Sequence, residues 1–341
     1  MKSRRLALSI LALPLTALVL AGCTQGAAQL QSGSEDPGDG AGIEVVATTN
    51  VYRDIAQSIG GEHVQATEII SSTAQDPHSY EPSARDKLAV SNAQLVLANG
   101  GGYDDFMTQL VSSLPEDSRA QTVYAVDSSP VPGESDHAQD STDHQHAGED
   151  HVHEGHDHDE EGHEGHDHAG YNEHIWFDLE SMSALAGELA EQFAALDPEH
   201  ADVFEANAGE FAAQIEQLAG QLESAGLQGR SFAMTEPVPY HLLVDAGMVD
   251  ATPEGLSAAV ESGSDIPPQI LKQLNDALAS GSIDLLAYNI QTEGADSISI
   301  RATAEAGSVP VVEFAETMDT DQHYVQWMAG HINALSEVMG H

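Results

Sequence analysis

Between positions 198 and 225 a single apolar stripe repeats at helical spacing. Phe204, Ala208, Phe211, Ile215, Leu218 and Leu222 lie 4, 3, 4, 3 and 4 residues apart, which puts all six on one face of one helix. Asp197 followed by Pro198 reads as an N-cap with proline at the first helical position, and Gly226 as the stop. The 28 residues of 198–225 would span roughly 42 Å at about 1.5 Å each. A stripe of this kind faces a core and implies no cofactor.

Strand-like and helix-like runs alternate on both sides of it. Before the long helix, strands are expected at 43–48, 64–70, 94–98 and 122–126, and helices at 51–59, 84–91, 103–113 and 181–195. After it, strands are expected at 231–234, 283–287 and 309–314, and helices at 239–246, 267–279, 295–306 and 322–338. Alternation of this sort builds parallel βαβ units. The expected fold is α/β: two lobes of parallel sheet flanked by helices, joined by one long rigid helix. The lobes are expected at 43–196 and 227–341, with the linker helix at 197–226.

Charge removes other classes. The 341 residues carry 10 Lys+Arg against 56 Asp+Glu, a formal net charge of −46. Without a basic cluster there is nothing to hold phosphates, so nucleic acid is excluded as a partner. Gly100-Gly101-Gly102 lacks the lysine and spacing of a phosphate loop. The single cysteine, Cys23, excludes a disulfide framework and a Cys-rich zinc module.

Residues 1–22 read as a secretion signal. Lys2, Arg4 and Arg5 precede an apolar run over 6–20, shorter than the roughly 20 residues a spanning helix needs. The run ends in Leu20-Ala21-Gly22-Cys23, which resembles a bacterial lipobox, with Cys23 as the lipidated residue. Residues 23–42 are polar and Gly-rich, a flexible tether. The expected location is therefore outside the cytoplasm, anchored to the membrane. Residues 134–170 hold ten histidines, His137, His144, His146, His151, His153, His156, His158, His163, His166 and His168, among many acids and no Lys or Arg. The segment has almost nothing to bury and reads as a disordered insertion. Its imidazoles would gather metal ions weakly and raise their local concentration.

In open α/β sheets ligands bind beyond the carboxyl ends of the strands. Four candidate ligands fall there. His78 sits in DPHSYEPS (76–83), a loop stiffened by two prolines, with Asp76 and Glu81 as candidates to bond its second ring nitrogen. His174 sits in NEHIWFD (172–178), where order returns after the insertion. Glu236 follows one strand of the second half and Glu316 follows the last one. Two neutral imidazoles and two carboxylates neutralise a divalent transition metal; zinc accepts them tetrahedrally, and manganese tolerates them. Singly, each of the four is more often a capping or surface residue. His63, His200, His323, His331 and His341 read as surface or packing residues.

These motifs, with the lipobox, resemble the ZnuA/TroA-like family of metal-binding proteins that serve ABC importers of zinc and manganese. The likeness runs from VVATTNVYRDIAQSIGG (45–61) to VPVVEFAETMDTDQHYVQWM (309–328). It implies a cleft site with two ligands from each lobe: His78 and His174 from the first, and Glu236, in AMTEPVPYHLL, from the second. The family's fourth ligand is usually Asp; Glu316 stands in its place here, with Asp319 and Asp321 nearby. His241 competes for the third position. The resemblance also implies an ABC permease and its ATPase as partners, a monomer, no enzymatic activity, and Zn²⁺ as cargo with Mn²⁺ as the alternative. A secreted zinc hydrolase and a metal-dependent adhesin are the readings from other classes; no H-E-x-x-H helix is present for the former.

Overall fold

The computed structural model describes residues 42–130, 172–261, 264–319 and 322–339. Cys23, the tether, the ten clustered histidines, Asp321 and His341 lie outside them. Among the described residues no helix is long and apolar enough to cross a membrane.

The first lobe runs β1 (Ile43–Thr49), α1 (Asn50–Gly60), β2 (Val64–Ile70), α2 (Ala84–Asn92), β3 (Leu95–Ala98), α3 (Asp105–Ser112), β4 (Gln121–Tyr124) and α4 (Leu179–Leu196). A long helix, α5 (Ala201–Ser224), leads to the second: β5 (Ser231–Met234), α6 (Tyr240–Asp245), β6 (Val249–Asp250), α7 (Leu256–Glu261), α8 (Pro268–Ser280), β7 (Leu285–Asn289), α9 (Ala295–Ala306), β8 (Val311–Phe314) and α10 (Tyr324–Met339). Each lobe holds one four-stranded sheet, ordered β2-β1-β3-β4 and β6-β5-β7-β8. Every pairing is parallel, with Val45 opposite Leu95 in the first sheet and Phe232 opposite Leu285 in the second. The strand order reverses between β1 and β3, and again between β5 and β7. Loops diverge there and leave a crevice at the carboxyl ends.

Central strands are apolar on both faces because helices cover both; all four residues of β3 and all five of β7 are buried. The six stripe residues are the ones α5 buries. They belong to one core that includes Val45 and Ile55 of the first lobe and Phe232 and Leu285 of the second. Phe204 packs edge-on against Phe193 of α4, and Phe211 stacks on Tyr324 of α10. At roughly 1.5–3 kcal/mol for each large side chain buried, the stripe is what ties α5 to its neighbours.

Two local expectations are corrected. The run 122–126 does not stay extended: the strand ends at Tyr124 and Ala125–Ser128 wind into a 3₁₀ turn, with the Val126 amide donating to the Asn99 carbonyl at 3.1 Å. Asp197 does not cap the long helix through its side chain; Pro198–His200 form a 3₁₀ turn, α5 begins at Ala201, and the Asp197 carboxylate bonds the His200 ring. Two elements, β6 and α7, have no counterpart in the sequence reading.

Buried and half-buried polar contacts clasp the lobes. Asn50, just past β1, donates to the Met318 carbonyl at 2.7 Å and accepts from the Met318 amide at 3.0 Å. Asp54 accepts from the Tyr324 amide at 2.8 Å at the start of α10, and the Tyr324 hydroxyl donates to the Trp176 carbonyl at 2.9 Å. The Gln291 side chain donates to the Gln75 carbonyl at 2.8 Å.

Candidate metal centre

The loop after β2 presents His78. The Asp76 carboxylate accepts the His78 amide at 2.9 Å and the Ser79 hydroxyl at 2.7 Å, so it fixes the turn that carries the imidazole. Beneath it lies Tyr103, 1% exposed, its ring edge-on to His78 at 5.1 Å between centroids. Tyr103 is held there by a glycine turn: Gly100, Gly101 and Gly102 all have positive φ, which side chains resist and glycine adopts freely. Buried Asp104 gathers the turn, accepting the Asn99 amide at 2.6 Å, the Gly100 amide at 2.8 Å and the Thr48 hydroxyl. Burial nonetheless raises its pKa to about 6 against the pull of these donors.

His174 returns to the same place. Asn99, fixed by the Tyr52 hydroxyl, donates to the Glu173 carbonyl at 3.0 Å. The Asn172 side chain determines the state of the His174 ring. Its Nδ2 donates to the Pro237 carbonyl at 2.9 Å, so its other atom is the oxygen; that oxygen accepts the His174 amide at 3.1 Å and faces His174 Nδ1 at 2.7 Å. An oxygen can only accept, so Nδ1 is the donor; in the neutral ring this is the tautomer that would offer Nε2 to a metal. His78 and His174 ring centroids are 5.9 Å apart. Their nitrogens and a carboxylate oxygen of buried Glu173 all lie within 4.8 Å of one another.

The second lobe contributes carboxylates. Glu236 and Glu316, 2% and 1% exposed, follow β5 and β8. Asn289, the last residue of β7, donates to both: to Glu236 Oε2, and to Glu316 Oε1 at 3.0 Å. Thr292 adds a 2.6 Å bond to Glu236 Oε2, and Gln291 Oε1 accepts the Glu316 amide at 3.1 Å. Burial, then the charge of Glu236, then that of Asp76, push Glu316 up to about 8, against the pull of Asn289 and Tyr103. Glu236 is raised too, first by burial, with Thr292 and Asn289 opposing and Asp76 adding to it. Burial and the negative charge of Glu316 carry Tyr103 well above its ordinary value, which places that carboxylate beside the phenol under His78 and His174.

The structure therefore gathers His78, His174 and Glu173 into one group, and holds Glu236 and Glu316 as a pair bridged by Asn289. The two glutamates are not members of the 4.8 Å group. Glu236 Oε1, Glu316 Oε2 and the Tyr103 hydroxyl are buried without a partner at hydrogen-bond geometry. Buried oxygens of this sort are costly unless paired, and a cation between the lobes would pair them. Asp319 is exposed and Glu81 is exposed. His241 directs its Nε2 at the Asn172 carbonyl at 3.0 Å; since a carbonyl only accepts, that nitrogen is a donor. Sequence reasoning missed Glu173, Tyr103, Asn289 and Thr292. Position beyond a strand was a signal available for Asn289; nothing distinguished the others.

Two lobes of parallel sheet on one connecting helix define a class of bilobal cleft proteins. Solved structures of that class superpose on this chain: the periplasmic zinc binding protein TroA from Treponema pallidum (TM-score 0.66, 18% identity, covering 87% of this chain and 99% of that one) and ZnuA (TM-score 0.63, 19% identity, 87% and 98%). The model of the family described as zinc-uptake complex component A, periplasmic, matches residues 45–338, and the chain belongs to that family. Among relatives, it is 24% identical over 205 residues to the manganese-binding lipoprotein MntA of Halalkalibacterium halodurans and 27% identical over 215 residues to the manganese ABC transporter substrate-binding lipoprotein PsaA of Streptococcus pneumoniae. Those alignments take in 59% and 62% of this chain, and 54% and 58% of the relatives' lengths.

Proposed function

We propose that this chain is an extracytoplasmic solute-binding lipoprotein. It captures a divalent transition metal, Zn²⁺ by preference, between its lobes and delivers it to an ABC permease driven by an ATPase. The reading is supported by two imidazoles that share one 4.8 Å group with Glu173, and by two buried carboxylates bridged by Asn289, each with one oxygen that lacks a hydrogen-bond partner. His78, His174, Glu236 and Glu316 are the proposed ligands. Together they neutralise the ion and close a tetrahedral shell, whereas a catalytic zinc keeps a position open for water. Cargo, not chemistry on a substrate, is the consequence: the chain is not an enzyme. Lipidation of Cys23 supplies the anchor, and membership of the zinc-uptake family supports the partner.

Zinc is favoured because imidazole-containing sites bind it more tightly than manganese in the divalent affinity order. Manganese is the second reading. Glu173 offers a further oxygen beside the histidines, manganese accepts oxygen-rich shells, and the relatives MntA and PsaA are named for it. Metal analysis of the protein purified from its native membrane without added metal separates the two: zinc in excess of manganese is expected, and predominant manganese would replace the cargo.

A further inference from the structure

A second group of metal-competent side chains stands at the other end of the first lobe. His63 ends the 3₁₀ turn Gly61–His63 ahead of β2, and Asp197 and His200 form the corner between α4 and α5. The strand separates it from the cleft: His63 precedes the seven residues of β2 and His78 follows them, and at about 3.3 Å per residue the strand alone spans roughly 20 Å. One ligand atom from each of His63, Asp197 and His200 lies within 4.8 Å of the other two. The two imidazoles stack at 3.7 Å between centroids with 20° between planes, and Asp197 Oδ2 lies 2.7 Å from His200 Nδ1.

We propose that His63, Asp197 and His200 form a second site for a divalent cation that favours nitrogen ligands, such as Zn²⁺. The backbone is set before any ion arrives. Pro198 fixes the corner, the Asp197 amide donates to the Phe193 carbonyl at 2.7 Å, and Asn207 of α5 donates to the Ile59 carbonyl at 2.9 Å, holding the His63 turn against the helix. Buried Phe204 lies edge-on beneath the His63 ring at 6.0 Å. The carboxylate can only accept, so His200 Nδ1 is the donor of this bond; when the ion takes that place the ring passes to its other neutral tautomer, with the proton on Nε2, and no proton is released overall. A tetrahedral ion with bonds of about 2.0 Å needs the nitrogen and oxygen roughly 3.3 Å apart, an opening from 2.7 Å, and, because an imidazole lone pair lies in its ring plane, a turn of the His63 ring out of its stack on His200. Asp197 and His200 side chains are 29% and 38% exposed, so water completes the shell. Two neutral imidazoles and one carboxylate leave a net charge of +1 on a chain of −46, which favours the cation. Such an ion links the entry of β2 to the start of the connecting helix.

The test is a residue-resolved diethylpyrocarbonate footprint of the full chain at increasing Zn²⁺, read by peptide mass spectrometry so that each histidine is scored by itself. The expected result is that Zn²⁺ protects His63 and His200 together, with one midpoint, and that Mn²⁺ at equal concentration does not. Asp197→Asn, which keeps an acceptor for the His200 ring but removes the anionic ligand, should raise that midpoint by about tenfold or more. Protection of half-buried His78 in the same digest reports on an intact fold and is expected to be unchanged by the substitution; its absence would count against the cleft reading and not against this site. The proposal is overturned if either His63 or His200 is modified at an unchanged rate in saturating Zn²⁺, or if Asp197→Asn leaves their midpoint where it was.

Discussion

At the scale of single residues the proposed site turns on Glu236 Oε1 and Glu316 Oε2, which are buried with no hydrogen-bond partner. Removing a ligand leaves a desolvated ion with an incomplete shell, so His78→Ala, His174→Ala and Glu316→Ala should each abolish tight zinc binding in competition with a chelator dye. Asp319→Ala should not, because Asp319 is exposed whereas Glu316 is buried beside Tyr103; the reverse pattern would move the fourth ligand to Asp319. His331 makes a separate prediction, about stability. It lies inside the second lobe, stacked on Phe314 at 4.8 Å, and burial lowers its pKa from 6.5 to about 4. Above pH 6.5 neither folded nor unfolded chain protonates it. Between about 6.5 and about 4 the unfolded chain takes up a proton that the folded one refuses, so stability falls as pH falls, by up to about 1.4 kcal/mol per pH unit. Urea denaturation of the parent and His331→Phe at pH 7, 6 and 5 should show the parent losing ground to the variant on acidification. Parallel curves would mean the ring is not held neutral.

At the scale of elements, α5 is the test of whether one stripe holds the lobes to one core. Phe211→Ala should cost about 3–5 kcal/mol in urea unfolding, since it removes the ring stacked on Tyr324, while Glu210→Ala, on the exposed side, should fall within about 0.5 kcal/mol of the parent. Equal effects would mean that the stripe is not the buried face. This helix was legible because its period is long and its apolar residues large. The alternation of strands and helices was legible for the same reason, and so was the position of His78, Glu236 and Glu316 past strand ends. What escaped has physical causes too. Strand β6 is two exposed residues long, too short to show a period. The strand ending at Tyr124 was overrun because Ala125 and Val126 are apolar and buried whether extended or turned. Asp197 carries every local mark of an N-cap, and only the three-dimensional approach of His200 diverts its carboxylate. Glu173 precedes a histidine as any surface acid would, and the glycines that set Tyr103 under the site specify a turn without saying what it positions.

At the scale of the molecule, the cleft is framed by lobes that are already clasped. Asn50 binds Met318 through both ends of its amide, and Asn172 binds Pro237, so bonds of the protein itself hold the first lobe's proposed ligands against the second lobe. Preorganisation lowers the entropy cost of binding. The histidine-rich segment has almost nothing to bury in its sequence, so the cost of fixing a shell there would fall on each ion, and its sites are expected to be weaker. Deleting 134–170 should therefore remove several weak zinc equivalents in calorimetry and leave one tight affinity unchanged; loss of the tight site would mean that the segment supplies a ligand. The most direct measurement is anomalous diffraction from crystals of the zinc-loaded protein on either side of the zinc edge. The account predicts a peak between the lobes, within about 2.0–2.2 Å of a nitrogen of His78, Nε2 of His174 and oxygens of Glu236 and Glu316. A cleft without such a peak, or an ion there bound without these four residues, would contradict it.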